Sequence, residues 1–173
     1  MAGSQSQAGA GQETGAPGAA PERARPAALA AVQAGPIDMD ELRRRVAGPA
    51  FGAVATFAGT VRDSFEGRRV RFLEYEAYGP MAEEVMREIA AELRQSFEIG
   101  EIAIAHRTGR LEVGETSVGI AVSAPHRRAA LAACAEAIER VKARLPVWKK
   151  EHFDGGEVWR ANESRPGAPP ERP

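Results

Sequence analysis

EIAIAHRTGRLEVGETSVGIAVSAPHRRAALAACAEAIERVKARLPVWKKE, residues 101–151, is the stretch whose reading decides the fold. Over Glu101–Thr108 the apolar positions Ile102 and Ile104 alternate with smaller ones, the period-two pattern of a strand. Gly109–Glu115 reads as a tight connection. Thr116–Ser123 reads as a second strand, with Val118, Ile120 and Val122 on one face. The period then changes. Across Arg127–Leu145 the residues Leu131, Cys134, Ala135, Ile138 and Leu145 form one helical stripe, and Pro146 stops the helix. Trp148–Phe153 and Glu157–Arg160 read as a terminal hairpin across Asp154-Gly155-Gly156.

Working outward, Asp38–Val46 is a short helix capped by Asp38 or Asp40. Gly52–Arg62 is a strand with Val54, Thr56 and Ala58 alternating, and Asp63–Arg68 is a turn containing Gly67. Arg69–Tyr78 alternates through Val70 and Phe72 and, after a shift, Tyr75 and Tyr78. Pro80–Phe97 is a helix with proline in its first turn and a stripe of Met81, Val85, Ile89, Leu93 and Phe97. Strand pairs interrupted by two long helices make an α+β protein. Residues 1–35 are rich in Ala, Gly, Pro, Gln and Ser and hold no aromatic residue. Such a segment buries too little apolar area to offset its ordering entropy, so a disordered extension is expected there. The folded domain is expected over 36–163, followed by a flexible Pro-rich tail over 164–173.

The 173 residues suit one domain with tails, and 43% hydrophobic content suits a real core. A net charge of −1 with scattered arginines argues against a nucleic-acid binder. Arg43-Arg44-Arg45 reads as a solvated helix face. One cysteine, Cys134, excludes an internal disulfide, and its place on the apolar stripe makes it a small buried hydrophobe. Three histidines and one cysteine have no metal-ligand spacing, so neither metal nor cofactor is expected. No run approaches a membrane span and no signal peptide is visible, so a cytoplasmic protein is the default.

The chemistry centres on lysine. Of 23 Lys plus Arg, three are Lys, which leaves 20 Arg; the three, Lys142, Lys149 and Lys150, fall within nine residues. Chance clustering is one reading. The other is that lysine supplies what arginine cannot: a compact ammonium whose pKa falls on desolvation, able to act as nucleophile or proton carrier. Lys142 lies in line with the helix stripe, four residues after Ile138 and three before Leu145, so it must snorkel, pair with an anion or line a cavity. His126 and Arg127 open that helix, where free N–H groups favour anions; an exposed helix start is the alternative. His106-Arg107, at a strand end, reads as structural. Arg62 ends a strand beside a loop, suited to an anion or to a surface ion pair. Lys149, Lys150 and Glu151 follow Pro146-Val147-Trp148; Pro146 and Trp148 hold that segment against the core and fix where Lys149 points, or the segment is an exposed hairpin strand. Nucleophile-elbow, phosphate-loop and dinucleotide motifs do not occur.

Several motifs in order resemble the large, catalytic subunit of molybdopterin synthase. They are Gly52-Ala53 leading to Phe57-x-Gly59-x-Val61-Arg62, Leu73-x-Tyr75-Glu76-x-Tyr78 with Met81, and Ile104-x-His106-Arg107-x-Gly109-x-Leu111 with Gly114-Glu115. His126-Arg127, Lys142 and Pro146-x-Trp148-Lys149-Lys150-Glu151 follow, with Trp159 closing. The resemblance spans roughly residues 37–163 and implies an α/β-hammerhead fold. It implies a central homodimer carrying a ubiquitin-like sulfur-carrier subunit at each end, a heterotetramer in all. The carrier's C-terminal Gly-Gly thiocarboxylate would enter a pocket, and two sulfurs would be inserted into cyclic pyranopterin monophosphate to give molybdopterin. The substrate-site positions implied are Thr60, Val61, Arg62, His126, Arg127, Lys142, Lys149, Lys150 and Glu151. Lys142 is implied as the main catalytic group and Lys149 as a stabiliser of developing negative charge. His126 and Arg127 either act in their own pocket or complete that of a second copy. Two rivals stay open: a non-catalytic anion-binding or carrier-docking module, and a lysine-dependent lyase or aldolase of small phosphorylated substrates forming a Schiff base at Lys142.

Overall fold

A computed structural model describes residues 29–161. In chain order the elements are β1 (Leu29–Gln33), α1 (Met39–Val46), β2 (Ala53–Thr60), β3 (Ser64–Phe65), β4 (Arg68–Ala77) and α2 (Gly79–Ser96). They continue with β5 (Ile102–Arg107), β6 (Gly109–Glu112), β7 (Thr116–Ala124), α3 (Arg127–Arg144), β8 (Val147–Phe153) and β9 (Gly156–Ala161). The expected α+β class, with antiparallel strand pairs and two 18-residue helices, is borne out.

The first sheet runs β1-β5-β7-β2, antiparallel except for the parallel β1–β5 pair. Its two faces carry different side chains because strand residues alternate. One face shows Ala103, Ala105 and Ala121, small enough for α1 to lie close with Leu42 and Val46. Gly119 completes this face: a Cβ there would come within 2.8 Å of Leu42 and of the Met39 sulfur. The other face shows Ile102, Ile104, Val118, Ile120 and Val122, covered by α2 and α3. Asp38 caps α1 by accepting from the Glu41 amide at 3.0 Å.

The second sheet runs β3-β4-β8-β9, with β6 also paired to β4. Glu66 (φ 50°) and Gly67 (φ 75°) form the two-residue turn between β3 and β4, both in the left-handed region that such hairpins require. Under this sheet Val61, Val70, Leu73, Leu111 and Phe153 form a separate small core.

Four expectations change. Leu29–Gln33, expected within the extension, is an edge strand: the existing edge of β5 satisfies its backbone groups, so little side-chain burial is needed. Residues 1–28 and 162–173, including the expected tail, lie outside the described residues. The connection after Gly109 is itself a strand, because its backbone pairs with Phe72–Tyr75 of β4. The stripe of α2 is rotated: Ala82, Met86, Ile89, Ala90 and Leu93 are buried, whereas Met81 is 54% exposed. On α3 the buried set is Ala130, Ala133, Cys134, Ala137, Ile138 and Val141, while Leu131 is 62% exposed. In both helices alanines face the core, because helix and sheet pack too closely there for larger side chains.

Candidate active site

Between the two sheets and the C-terminal half of α3 lies a cavity of about 340 Å³. Several elements converge on it. The end of β2 and the residues after it bring Thr60, Val61 and Arg62. A register shift between Gly59 and Thr60 turns the strand here. Gly59 itself passes so close to β7 that a Cβ would meet Val118 at 2.7 Å. From α3 come Ile138, Val141 and Lys142. From β8 come Lys149 and Glu151, which point the same way because they are two residues apart.

Charge is concentrated here. Glu151, 2% exposed, receives Lys149 Nζ at 3.1 Å on one oxygen and faces Arg160 Nε at 3.5 Å with the other. A carboxylate so deeply buried must be paired to remain charged. Phe65, on β3, is approached by three cations: Arg160 at 4.8 Å, Lys149 at 5.4 Å and Arg62 at 5.6 Å from the ring centre. Its negative face draws them around the cavity mouth. Arg160 also bonds Glu66 at 3.0 Å, tying the β3–β4 turn to β9. The arrangement can hold an anion between Arg62, Lys142 and Lys149, with proton-carrying ammonium groups beside it.

Of the expected site residues, Thr60, Val61, Arg62, Lys142, Lys149 and Glu151 meet in the cavity. Lys150 does not. Strand alternation turns it to the opposite face of β8, where it pairs with Glu157 and lies 5.7 Å from the Trp159 ring. His126 and Arg127 do not reach the cavity of their own chain either. They are exposed at the start of α3, and Arg127 stands 15 residues before Lys142, about 22 Å along the helix axis. The third lysine and the helix start therefore lie outside this cavity.

The cavity also contains residues not expected there. Phe57, Tyr75, Ser117 and His106 line it. His106, read from sequence as structural, is 4% exposed, and burial lowers its pKa to about 4, so it is neutral at pH 7. Burial raises the Tyr75 pKa, its hydrogen bond to Ser117 opposes the rise, and the Glu151 charge adds to it. The alternation Ile102–Ile104–His106 held the signal: it places His106 on the sheet face that α2 and α3 cover. Cys134 is buried as expected, and burial pushes its thiol up to about 11. Among the described residues no three His, Cys, Asp or Glu side chains gather as a metal site would need, and no helix is long and apolar enough to cross a membrane.

The fold and the cavity define a mixed α+β protein with a lysine-bearing pocket suited to anionic ligands. Residues 32–144 match the family model described as MoaE protein, and the chain belongs to that family. It is 53% identical over 113 residues to the "Molybdopterin synthase catalytic subunit" of Oryza sativa subsp. indica, covering 65% of this chain and 58% of that one. It is 47% identical over 124 residues to the protein of that name from Bacillus subtilis, covering 72% and 79%. The fold matches the crystal structure of molybdopterin synthase from Staphylococcus aureus with a TM-score of 0.73 and 38% identity, covering 76% of this chain and 96% of that one. The chain thus spans less than two thirds of the rice relative's length.

Proposed function

We propose that this protein is the catalytic subunit of a molybdopterin synthase. It is a cytoplasmic sulfurtransferase that converts cyclic pyranopterin monophosphate to molybdopterin with sulfur from the C-terminal thiocarboxylate of a small ubiquitin-like carrier. The observation that carries this reading is the gathering of Arg62, Lys142, Lys149 and the buried Glu151 around one cavity. Substrate phosphate and carrier thiocarboxylate are both anions, and this set of cations suits them.

In this reading Lys142 moves protons or holds the carrier terminus. Lys149, oriented by Glu151, stabilises negative charge that develops on oxygen. Cys134 is unsuited as a sulfur source: it is buried, and its raised pKa leaves almost no thiolate at pH 7. An outside donor is therefore needed. The protein works as a homodimer with a carrier at each end, a heterotetramer. His126 and Arg127, too far from their own cavity, serve the pocket of the second copy.

A turnover assay with the protein, a thiocarboxylated carrier and cyclic pyranopterin monophosphate, reading the product as its oxidised fluorescent pterin, tests this. Wild type is expected to form product and Lys142→Ala is not. Carrier binding without product in wild type would leave a docking module instead. A borohydride-trapped adduct at Lys142 without any carrier would point to a lyase.

A further inference from the structure

The cationic residues account for the anionic groups of the ligand but leave its ring unread. Along the cavity wall, Tyr75 stands directly opposite Lys149 in the β4–β8 register. The Tyr75 ring meets His106 edge-on at 5.3 Å. The wall therefore runs from an ammonium to a phenol to an imidazole, beside the apolar Phe57, Val118 and Ile138. A flat heterocycle fits such a slot. Its edge N–H groups need acceptors once water is excluded.

Other acceptors here answer to cations or to one another. Glu151 receives Lys149 on Oε1, and its Oε2 makes no hydrogen bond but faces the Arg160 guanidinium at 3.5 Å. The Ser117 hydroxyl donates to the Gly59 carbonyl at 3.1 Å and bonds Tyr75. His106 differs. Its Nδ1 lies 2.9 Å from the Arg107 carbonyl. A carbonyl only accepts, so Nδ1 carries the proton and Nε2 keeps its lone pair. Among the described residues that is the one hydrogen bond the imidazole makes. The low pKa keeps the ring neutral, so Nε2 remains an acceptor at pH 7.

We propose that His106 reads the substrate ring: its Nε2 accepts a hydrogen bond from a ring or amino N–H of the bound pterin. The inference rests on the functional reading above and extends it from the anionic groups to the heterocycle. It gives the residue two separable jobs, one on each nitrogen.

Two substitutions separate them. His106→Asn puts an amide donor where Nδ1 stood and removes the outer acceptor. His106→Gln places an amide oxygen near the position of Nε2 and gives up the inner bond. Binding of cyclic pyranopterin monophosphate would be measured by titration of the folded proteins, alongside melting temperature and carrier affinity. His106→Asn is expected to weaken pterin binding about tenfold or more with a near-native melting temperature. His106→Gln is expected to melt lower but to bind within about threefold of wild type. Carrier affinity stays unchanged in both.

Native pterin affinity in His106→Asn, or equal loss in both variants at equal folded fraction, overturns the proposal. Should either variant fail to fold, wild-type protein labelled with 15N-histidine decides the matter. The Nε2 resonance must move on pterin saturation, and an unmoved resonance overturns the proposal. Wild type that binds no pterin at all would defeat the functional reading itself and this inference with it. Pterin binding that is indifferent to His106 defeats the inference alone.

Discussion

The two ends of α3 carry similar charges in opposite settings. At the C-terminal end Lys142 and Arg144 sit in the last turn, where the helix dipole favours cations. Arg144 is further held by Glu92 at 2.7 Å and Glu88 at 3.0 Å. At the N-terminal end His126, Arg127 and Arg128 crowd the positive pole with no acidic residue in the first turn, and the His126 side chain makes no capping bond. Stability accounts for Arg144. It does not account for Arg127, whose charge works against the dipole, by about 0.3–1 kcal/mol. A cation where it costs stability suits an anion supplied from outside, and the distance from Lys142 keeps Arg127 out of the cavity at the other end.

The largest effect expected is at the C-terminal end. Lys142→Ala should lower kcat by about 10²–10³-fold with carrier binding retained. Lys142→Arg should be equally poor, because charge is kept while the transferable proton is lost. Activity in Lys142→Arg would reduce this end to simple anion binding.

The buried neutral His106 sharpens the same end. Its folded pKa of about 4 lies below the ordinary 6.5, so the unfolded chain binds more protons between those values. Its contribution is therefore fully present above pH 6.5 and lost as pH falls towards 4, about 3 kcal/mol in all. Urea unfolding at pH 7 and pH 4.5 should show a smaller pH-dependent loss in His106→Asn than in wild type. Equal losses would remove His106 from the acid response.

At the other end Arg127→Ala should lower turnover about tenfold, the worth of one charge-assisted bond. Mixing Arg127→Ala with Lys142→Ala subunits should recover part of the activity, since under the proposed function a mixed dimer would hold one intact composite site. No recovery after confirmed subunit exchange would break the contrast. The smallest effect is expected at Leu131, which is 62% exposed near that end. Leu131→Ser should change stability by less than about 0.5 kcal/mol in urea unfolding. A larger loss would mean that the second copy covers it.

The α+β class, both long helices and the strands of Ile104 and Ile120 were legible because each rests on a local period, two or 3.6 residues. The misplaced faces of α2 and α3 share one cause. Stripes drawn through large residues such as Met81 and Leu131 missed that alanines face a closely packed sheet. β1 and β6 escaped for another reason: their pairing partners, β5 and β4, lie far away in the chain.

By itself, the sequence determined the helices, the strands that carry a local period, and which residue types could handle anions. Local periodicity and the chemistry of Lys142, Lys149 and Glu151 are properties of short stretches. Only the tertiary structure decided which of them meet. Pleating turned Lys149 inward and Lys150 outward, the length of α3 parted Arg127 from Lys142, and burial of the β5 end made His106 neutral. Facing, distance and desolvation arise when segments remote in sequence pack together, and no single segment contains them.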